Sequence, residues 1–169
     1  SPAHDRPLAP VDVNDVVRKA VDLLAPAIRK STHRFSAAYA ENLPKLPAGR
    51  PQQLEQVVIN LILNACQALP GPEKGVRVAT AFDQAANTLV ITVQDEGQGI
   101  AAELIPRLTD PFFTTKRGNG GMGLGLSISE SIVREHHGRL QFDSRQGLGT
   151  AARVILPLAA SHPIATKET

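Results

Sequence analysis

The chain predicts an α+β two-layer sandwich, with helices on one face of a largely antiparallel sheet. Three observations carry that expectation. Asp12 to Ser31, Gln52 to Leu69 and Leu124 to His137 repeat apolar residues at helical spacing. Val76 to Phe82 with Thr88 to Gln94, and Leu140 to Asp143 with Thr150 to Leu156, alternate as paired strands do. The strands also follow one another in pairs and do not alternate with helices, as a parallel βαβ sheet would require.

The first helix takes its apolar face from Val13, Val16, Val17, Ala20, Leu23, Leu24 and Ile28, with Asp12 or Asn14 as cap. Pro26 is expected to kink or divide it. Arg34 to Tyr39 reads as a short strand, followed by a Pro-rich loop through Pro51. The helix from Gln52 to Leu69 is closed by Pro70-Gly71-Pro72, and Asn87 marks the turn of the first strand pair. From Asp95 to Gly123 the chain is Gly-rich with few periodic apolar residues. A structureless loop of that length in a compact domain is usually functional. The last helix stops at Gly138, where His136 and His137 are expected to act as C-terminal caps.

The 169 residues suffice for one domain, with 1–10 expected as linker, 11–157 as the domain and 158–169 as a tail. Hydrophobic residues at 42% and charged residues at 20% indicate a globular chain. A net charge of +2, no Trp, one Tyr and no basic stripe argue against nucleic acid as partner. A single cysteine, Cys66, precludes an internal disulfide and suggests a reducing, cytoplasmic setting. It reads as a small buried hydrophobe. No apolar run approaches the roughly 20 residues of a membrane span, so no membrane contact is expected of this segment.

Three motifs carry chemistry. On the second helix Leu54, Val57, Val58, Leu61, Ile62, Ala65, Ala68 and Leu69 form an apolar stripe, and Gln53, Gln56, Asn60, Asn64 and Gln67 an amide stripe. Asparagine competes with the backbone for hydrogen bonds, so Asn60 and Asn64 at i and i+4 need a reason. Neighbouring groups could satisfy both amides; alternatively their oxygens face a cation or polyphosphate, and Mg2+ prefers such ligands. Next, Asp95-Glu96-Gly97-Gln98-Gly99-Ile100 leaves a strand end. It is either a surface turn or a carboxylate placed for an exocyclic amine such as that of adenine, with glycines that admit a flat ligand. Third, Gly118-Asn119-Gly120-Gly121-Met122-Gly123-Leu124-Gly125-Leu126 runs into a helix, where backbone amides and the helix dipole meet phosphate.

A different class of function can be weighed on the same glycines. Gly118, Gly120 and Gly123 fit GxGxxG, and Asp143 follows at a possible strand end, imitating a dinucleotide-binding fingerprint. That fingerprint needs a buried strand before its first glycine, and Pro111 to Arg117 is not one. No Walker A sequence, HRD or DFG motif, GxSxG elbow or zinc-site spacing occurs.

Taken in order, the motifs resemble the histidine-kinase branch of the ATPase superfamily that includes gyrase, Hsp90 and MutL. Asn60 to Ala65 resembles its N box, Asp95 to Ile100 its G1 box, Pro111-Phe112-Phe113-Thr114-Thr115-Lys116 its F box, Gly121 to Leu126 its G2 box, and Gly147-Leu148-Gly149-Thr150 its last glycine motif. The similarity covers roughly Val11 to Pro157. Leu54-Glu55-Gln56-Val57, the Phe-Phe-Thr-Thr-Lys run and Leu126-Ser127-Ile128-Ser129 are most similar to nitrogen-regulation and C4-dicarboxylate sensor kinases.

The resemblance implies a Bergerat ATP-binding fold, a mixed sheet under about three helices, with a mobile ATP lid over about Arg107 to Gly121. It implies ATP and Mg2+ as cofactors, Asn64 as metal ligand, Asp95 as receiver of the adenine amine and Thr150 as its support. Gly97, Gly99, Ile100, Thr115, Gly121, Met122, Gly123, Leu124, Gly125 and Leu126 would line the nucleotide site. Asn60 stands where hydrolytic relatives carry a catalytic Glu, and an amide cannot serve as general base for water. Asn60 and Lys116 are the candidate catalytic residues, Lys116 for charge on the γ-phosphate. Phe112 and Phe113 would meet the phosphoacceptor and dimerisation helices, and a response regulator would be the indirect partner. Gln67 and Ala68 depart from the Lys and aromatic common in relatives, which leaves adenine stacking unassigned. No His-Glu/Asp-x-x-Asn/Thr-Pro acceptor motif occurs, so the acceptor histidine is expected on a separate part of a longer protein, with a membrane anchor open there. A degenerate regulatory module without catalysis is the alternative.

Overall fold

The computed structural model describes residues 7–111 and 123–159. Their strands form two sheets. The smaller pairs β1 (Ala9–Val11) with β3 (Leu46–Gly49), antiparallel. The larger has the order β2-β4-β5-β7-β6, from β2 (Phe35–Ala38), β4 (Val76–Asp83), β5 (Thr88–Asp95), β7 (Gly149–Pro157) and β6 (Arg139–Arg145). Only the β2–β4 pair is parallel, so the sheet is mixed and mostly antiparallel, as expected for a Bergerat fold. One of its faces is covered by α1 (Val13–Ser31), α2 (Pro51–Ala68) and α3 (Gly123–Glu135).

Each helix forms where its apolar spacing and its ends agree. Asp12 caps α1 by accepting the Asp15 N–H at 3.1 Å. Pro26 neither divides nor ends α1, which runs through it as one helix. Pro51 starts α2 at a position where its missing N–H costs nothing. Leu54, Val57, Val58, Leu61, Ile62, Ala65 and Cys66 of α2 are buried. Val76, Val78, Leu89, Ile91, Val93, Val154 and Leu156 meet the helices from the sheet. Burying each such aliphatic side chain contributes about 1.5–3 kcal/mol. No helix among the described residues is long and apolar enough to cross a membrane.

Three features depart from expectation. The β1–β3 sheet begins two residues inside the segment expected as linker, and it places a strand in the expected Pro-rich loop. The Gly-rich region is partly structured: Ala102–Arg107 is a 3-10 helix, and Leu108 is buried in the core. The expected lid is therefore anchored at its start, and 112–121 lies outside the described residues. At the end of α3 His137, φ 63°, takes the left-handed capping position, in line with expectation. The Gly138 N–H returns to the Val133 carbonyl and the His137 N–H to Arg134, both at 2.9 Å, which is a Schellman closure. Gly138 is required for another reason: a Cβ there would run into the Ile155 carbonyl of β7.

His136 caps α3 through its side chain, as expected, and reaches beyond it. It is 6% exposed, its Nδ1–H donates to the Ile132 carbonyl at 2.8 Å, and its Nε2 accepts the Arg50 N–H at 3.0 Å. The neutral ring thus joins the end of α3 to the start of α2. Burial pushes its pKa below the usual 6.5; Arg50 and His137 add to the effect, while the Ile132 carbonyl and Glu135 oppose it. The unfolded chain therefore takes up this proton at higher pH than the folded one, and stability falls as pH drops through the unfolded value and below. Urea unfolding between about pH 7.5 and 5.5 should show this loss, at most about 1.4 kcal/mol per pH unit for one proton. His136→Gln should flatten the slope; parallel curves for the two proteins would remove His136 as its source.

Candidate functional site

Alternation along β5 sends Leu89, Ile91, Val93 and Asp95 to the helix-covered face. The first three are core residues, and Asp95 ends the column, 7% exposed, beside the C-terminal end of α2. Register sets Thr150 of β7 directly opposite Asp95, and Ser144 of β6 directly opposite Thr150. Asp95 Oδ1 accepts the Gly97 N–H at 2.8 Å, which folds the following loop back over the carboxylate. The Gln98 N–H donates to the Ala68 carbonyl of α2 at 3.1 Å. Gly147 N–H, in the β6–β7 turn, donates to the Gln98 carbonyl. The Asp95 to Ile100 loop is thus held from a strand, a helix end and a hairpin turn.

Glycine is obligatory at two of these positions. A Cβ on Gly97 would meet the Ala68 carbonyl oxygen at 2.6 Å and Asp95 Oδ1 at 2.7 Å. Gly99 has φ +74°, and a Cβ there would collide with the Arg145 backbone. The backbone stays close to the carboxylate, and the next amide, Ile100 N–H, donates to Ser144 Oγ at 2.8 Å.

The amide pair lies on α2, both residues half-buried, with Asn60 against the start of α3. Asn60 Nδ2 donates to Ser129 Oγ at 3.1 Å and to the Gly125 carbonyl at 3.4 Å. A carbonyl can only accept, so the amide nitrogen is the end that faces α3. Among the described residues nothing donates to Asn60 Oδ1. The wider amide stripe does not act as a unit: Gln53 is buried, while Gln56 and Gln67 are exposed. Gly123 and Leu124 open α3, Gly125 is half-buried, and Leu126 packs in the core. Phe112, Phe113, Thr115, Lys116, Gly121 and Met122 lie outside the described residues.

Ser129 and Ser144 carry contacts here, and residue type alone did not single them out. Ser129 is fully buried in the stripe Leu126, Ser129, Ile132, Val133, His136, where a hydroxyl needs a partner. The periodicity of α3 was the signal for it. Ser144 was legible only through strand register. Asp143, the acid of the dinucleotide-like pattern, is on the opposite face of β6 and pairs with Arg153 at 3.3 Å.

Residues 49–160 match the family described as histidine kinase-, DNA gyrase B- and HSP90-like ATPase. The chain belongs to this family. Within this ATPase family it is similar to the C4-dicarboxylate transport sensor protein DctS of Rhodobacter capsulatus, 36% identical over 89% of the chain and 23% of that protein. It is also similar to sporulation kinase E of Bacillus subtilis, 33% identical over 86% of the chain and 19% of that protein. The chain spans about a fifth of the length of these relatives. Full-length ShkA in complex with AMPPNP superposes with a TM-score of 0.77 at 25% identity, over 89% of this chain and 31% of that one. These likenesses make the domain a histidine-kinase catalytic domain by fold and family, without separating the transport-sensor branch from the sporulation kinases.

The G1 loop of this ATPase domain should tolerate no side chain at its first glycine. Gly97→Ala is expected to cost about 1–3 kcal/mol in urea unfolding, because the clash is with backbone that cannot turn aside. An unchanged midpoint would mean that the loop is not pressed against α2.

Proposed function

We propose that this domain binds Mg-ATP between the Asp95–Thr150 end of the sheet and the Asn60–Asn64 face of α2. It then donates the γ-phosphoryl group to a histidine on a separate helical phosphoacceptor and dimerisation domain. The observation that carries this reading is the buried Asp95 carboxylate, opposite Thr150 and covered by its own glycine loop. A carboxylate there accepts from an exocyclic amine and repels a keto oxygen. Gly97, Gly99 and Ile100 would let the base lie against backbone, and Gly123 to Leu126 would bring helix-terminal amides toward phosphate.

The donor set fits a hard cation. Asn64 would offer its amide oxygen, and Mg2+ held there with phosphate oxygens and water would supply charge neutralisation on the triphosphate. Asn60 lacks the basicity to activate water, which favours transfer over hydrolysis. Its bond to Ser129 keeps the amide oriented beside α3. Lys116, outside the described residues, is proposed to balance charge at the γ-phosphate, and Phe112 and Phe113 to meet the acceptor helices. Residues 11–157 would be the ATP-binding catalytic domain, on the cytoplasmic side, of a longer signalling kinase whose phosphorylated histidine feeds a response regulator. The likeness to DctS and the sequence wording support a place near the C4-dicarboxylate sensors.

Calorimetric titration should show ATP and ADP binding with GTP much weaker, and Asp95→Ala should lose that preference. Equal affinity for ATP and GTP would remove the base assignment. Asn64→Ala should weaken Mg-ATP binding at least about tenfold, or roughly 1.4 kcal/mol, at an unchanged melting temperature. The isolated chain should bind ATP without labelling itself, since transfer needs a nucleophile about 3–3.5 Å from phosphorus. Adding the cognate acceptor helices should restore labelling of their histidine, with Lys116→Ala slowing the rate more than it weakens binding. Stable phosphate on a histidine of this chain itself would contradict the proposed division of labour.

A further inference from the structure

Two rows of residues cross the β2–β4–β5 part of the sheet on the face away from the helices. Val76 and Asp95 point inward, so by alternation Gly75, Arg77, Gln94 and Glu96 belong to the outer face. Strand register sets Ser36, Arg77 and Gln94 side by side in one row. Arg34, Gly75 and Glu96 make the next row, joined by their backbones. Val76 N–H donates to the Arg34 carbonyl at 3.1 Å, and Glu96 N–H to the Gly75 carbonyl at 3.0 Å. The middle position of this second row has no side chain. A Cβ on Gly75 would stand 3.3 Å from both Arg34 Cβ and Glu96 Oε1, but only 2.7 Å from the Arg34 carbonyl oxygen. Backbone contact therefore keeps the gap open. It leads into a cavity of about 520 Å³ lined by Arg34, Ser36, Arg77, Gln94 and Glu96, which is within the size range of ligand sites.

The charges around the gap are not matched to one another. Among the described residues neither the Arg34 nor the Arg77 guanidinium is paired with a carboxylate. Glu96 is the one acid of the two rows, and its Oε1 accepts the Gly75 N–H at 2.7 Å. Its carboxylate is turned to the floor of the gap instead of to either guanidinium.

We propose that this gap is a second binding site, on the face of the sheet opposite Asp95, and that it takes an acidic peptide segment of a protein partner. Each guanidinium offers a planar fork of donors that fits a side-chain carboxylate. The remaining oxygen of Glu96 and the amide oxygen of Gln94 can accept the N–H groups of the peptide main chain. Nucleic acid and anionic membrane surfaces reward a continuous run of cations. Here two arginines stand with a glutamate between their row and the next strand, in a chain of net charge +2. A peptide whose carboxylates are interleaved with N–H donors matches both signs. The site owes nothing to the nucleotide reading of the cleft and does not depend on it. Its residues are far apart in sequence and meet only through the pairing of three strands.

The test follows backbone amide NMR shifts of the whole chain as a capped peptide alternating glycine and glutamate is added. The same peptide with glutamine for glutamate, and inorganic phosphate, are the controls. The glutamate peptide should bind saturably and shift Gly75, Arg77 and Glu96. Arg34→Gln and Arg77→Gln should each weaken it at least about threefold, the scale of one solvent-exposed charge pair. Arg139→Gln removes the same charge from the far edge strand and should leave the affinity unchanged. An equal loss in all three variants means attraction by bulk charge and overturns the proposal. A glutamine peptide that binds as well overturns it, and so does phosphate bound as tightly through the same two arginines, since a free oxyanion would then suffice. No saturable shift at millimolar peptide also overturns it. All three arginines are exposed, so the variants should melt with the wild type. If Arg34→Gln or Arg77→Gln fails to fold, Arg34→Lys or Arg77→Lys, which keeps the charge and loses the fork, should weaken the peptide part of the way. An unchanged affinity there overturns the proposal.

Discussion

Asp95 ends a strand whose preceding inward residues, Leu89, Ile91 and Val93, are all core. A one-residue slip of β5 against β7 would turn that apolar column outward and carry Asp95 to the solvent face. The hydrophobic demand of the column therefore fixes where the carboxylate lies, and the cost of burying it fixes what must surround it. Gly97 N–H answers part of that need through Oδ1. The same register brings Thr150 opposite Asp95 and Ser144 opposite Thr150, so three polar side chains from three strands meet in one row. The placement of this polar row is a by-product of core packing, which gives it the precision of the sheet.

Helix packing builds the other end. Helix α2 is the central element, packed against α1, α3 and the sheet. Polar groups hold α3 to it at both ends: Asn60 to Ser129 and Gly125 near the start of α3, His136 to Arg50 near its end. Hydrogen bonds of this kind add only about 0.5–1.5 kcal/mol each, so they contribute less to stability than the leucines and valines around them. Their effect is directional. An apolar interface tolerates small slides, whereas a buried hydroxyl facing one particular amide does not.

Much of this was legible in the sequence, and the omissions share a cause. The stripes of α1 and α2 and the alternation in β4, β5 and β7 announced themselves, because a repeating period over many residues leaves few readings. Asp95, Gly97 and Gly99 stood out because an acid followed by spaced glycines at a strand end is unusual. The β1–β3 sheet escaped notice: strands of three and four residues, one reading Leu-Pro-Ala-Gly, hold no period to detect. The 3-10 helix over 102–107 was too short for a helical pattern, although Ile105 and Leu108 had the spacing to dock it. Ser144 depends on register between strands, which is a property of the pairing and not of any one segment. Gly138 was read only as the stop of α3; its further constraint, the Ile155 carbonyl of β7, depends on tertiary packing and left no local signal.

The strand row and the α2–α3 contact differ in what can perturb them. The Asp95–Thr150–Ser144 row is bound into five-stranded pairing, and moving it means breaking ladder bonds along β5 and β7 together. The Asn60–Ser129 contact crosses between two helices that share only side-chain packing and a few polar bonds. Sliding α3 by a fraction of an ångström along α2 changes the Asn60 contacts while the row of polar strand residues stays where it is. The glycine run enters α3 at Gly123, two residues before the Gly125 carbonyl that Asn60 touches. The strand row is in this way held more rigidly than the helix contact: the first is fixed by ladder bonds on both sides, the second by packing and a few polar bonds between α2 and α3.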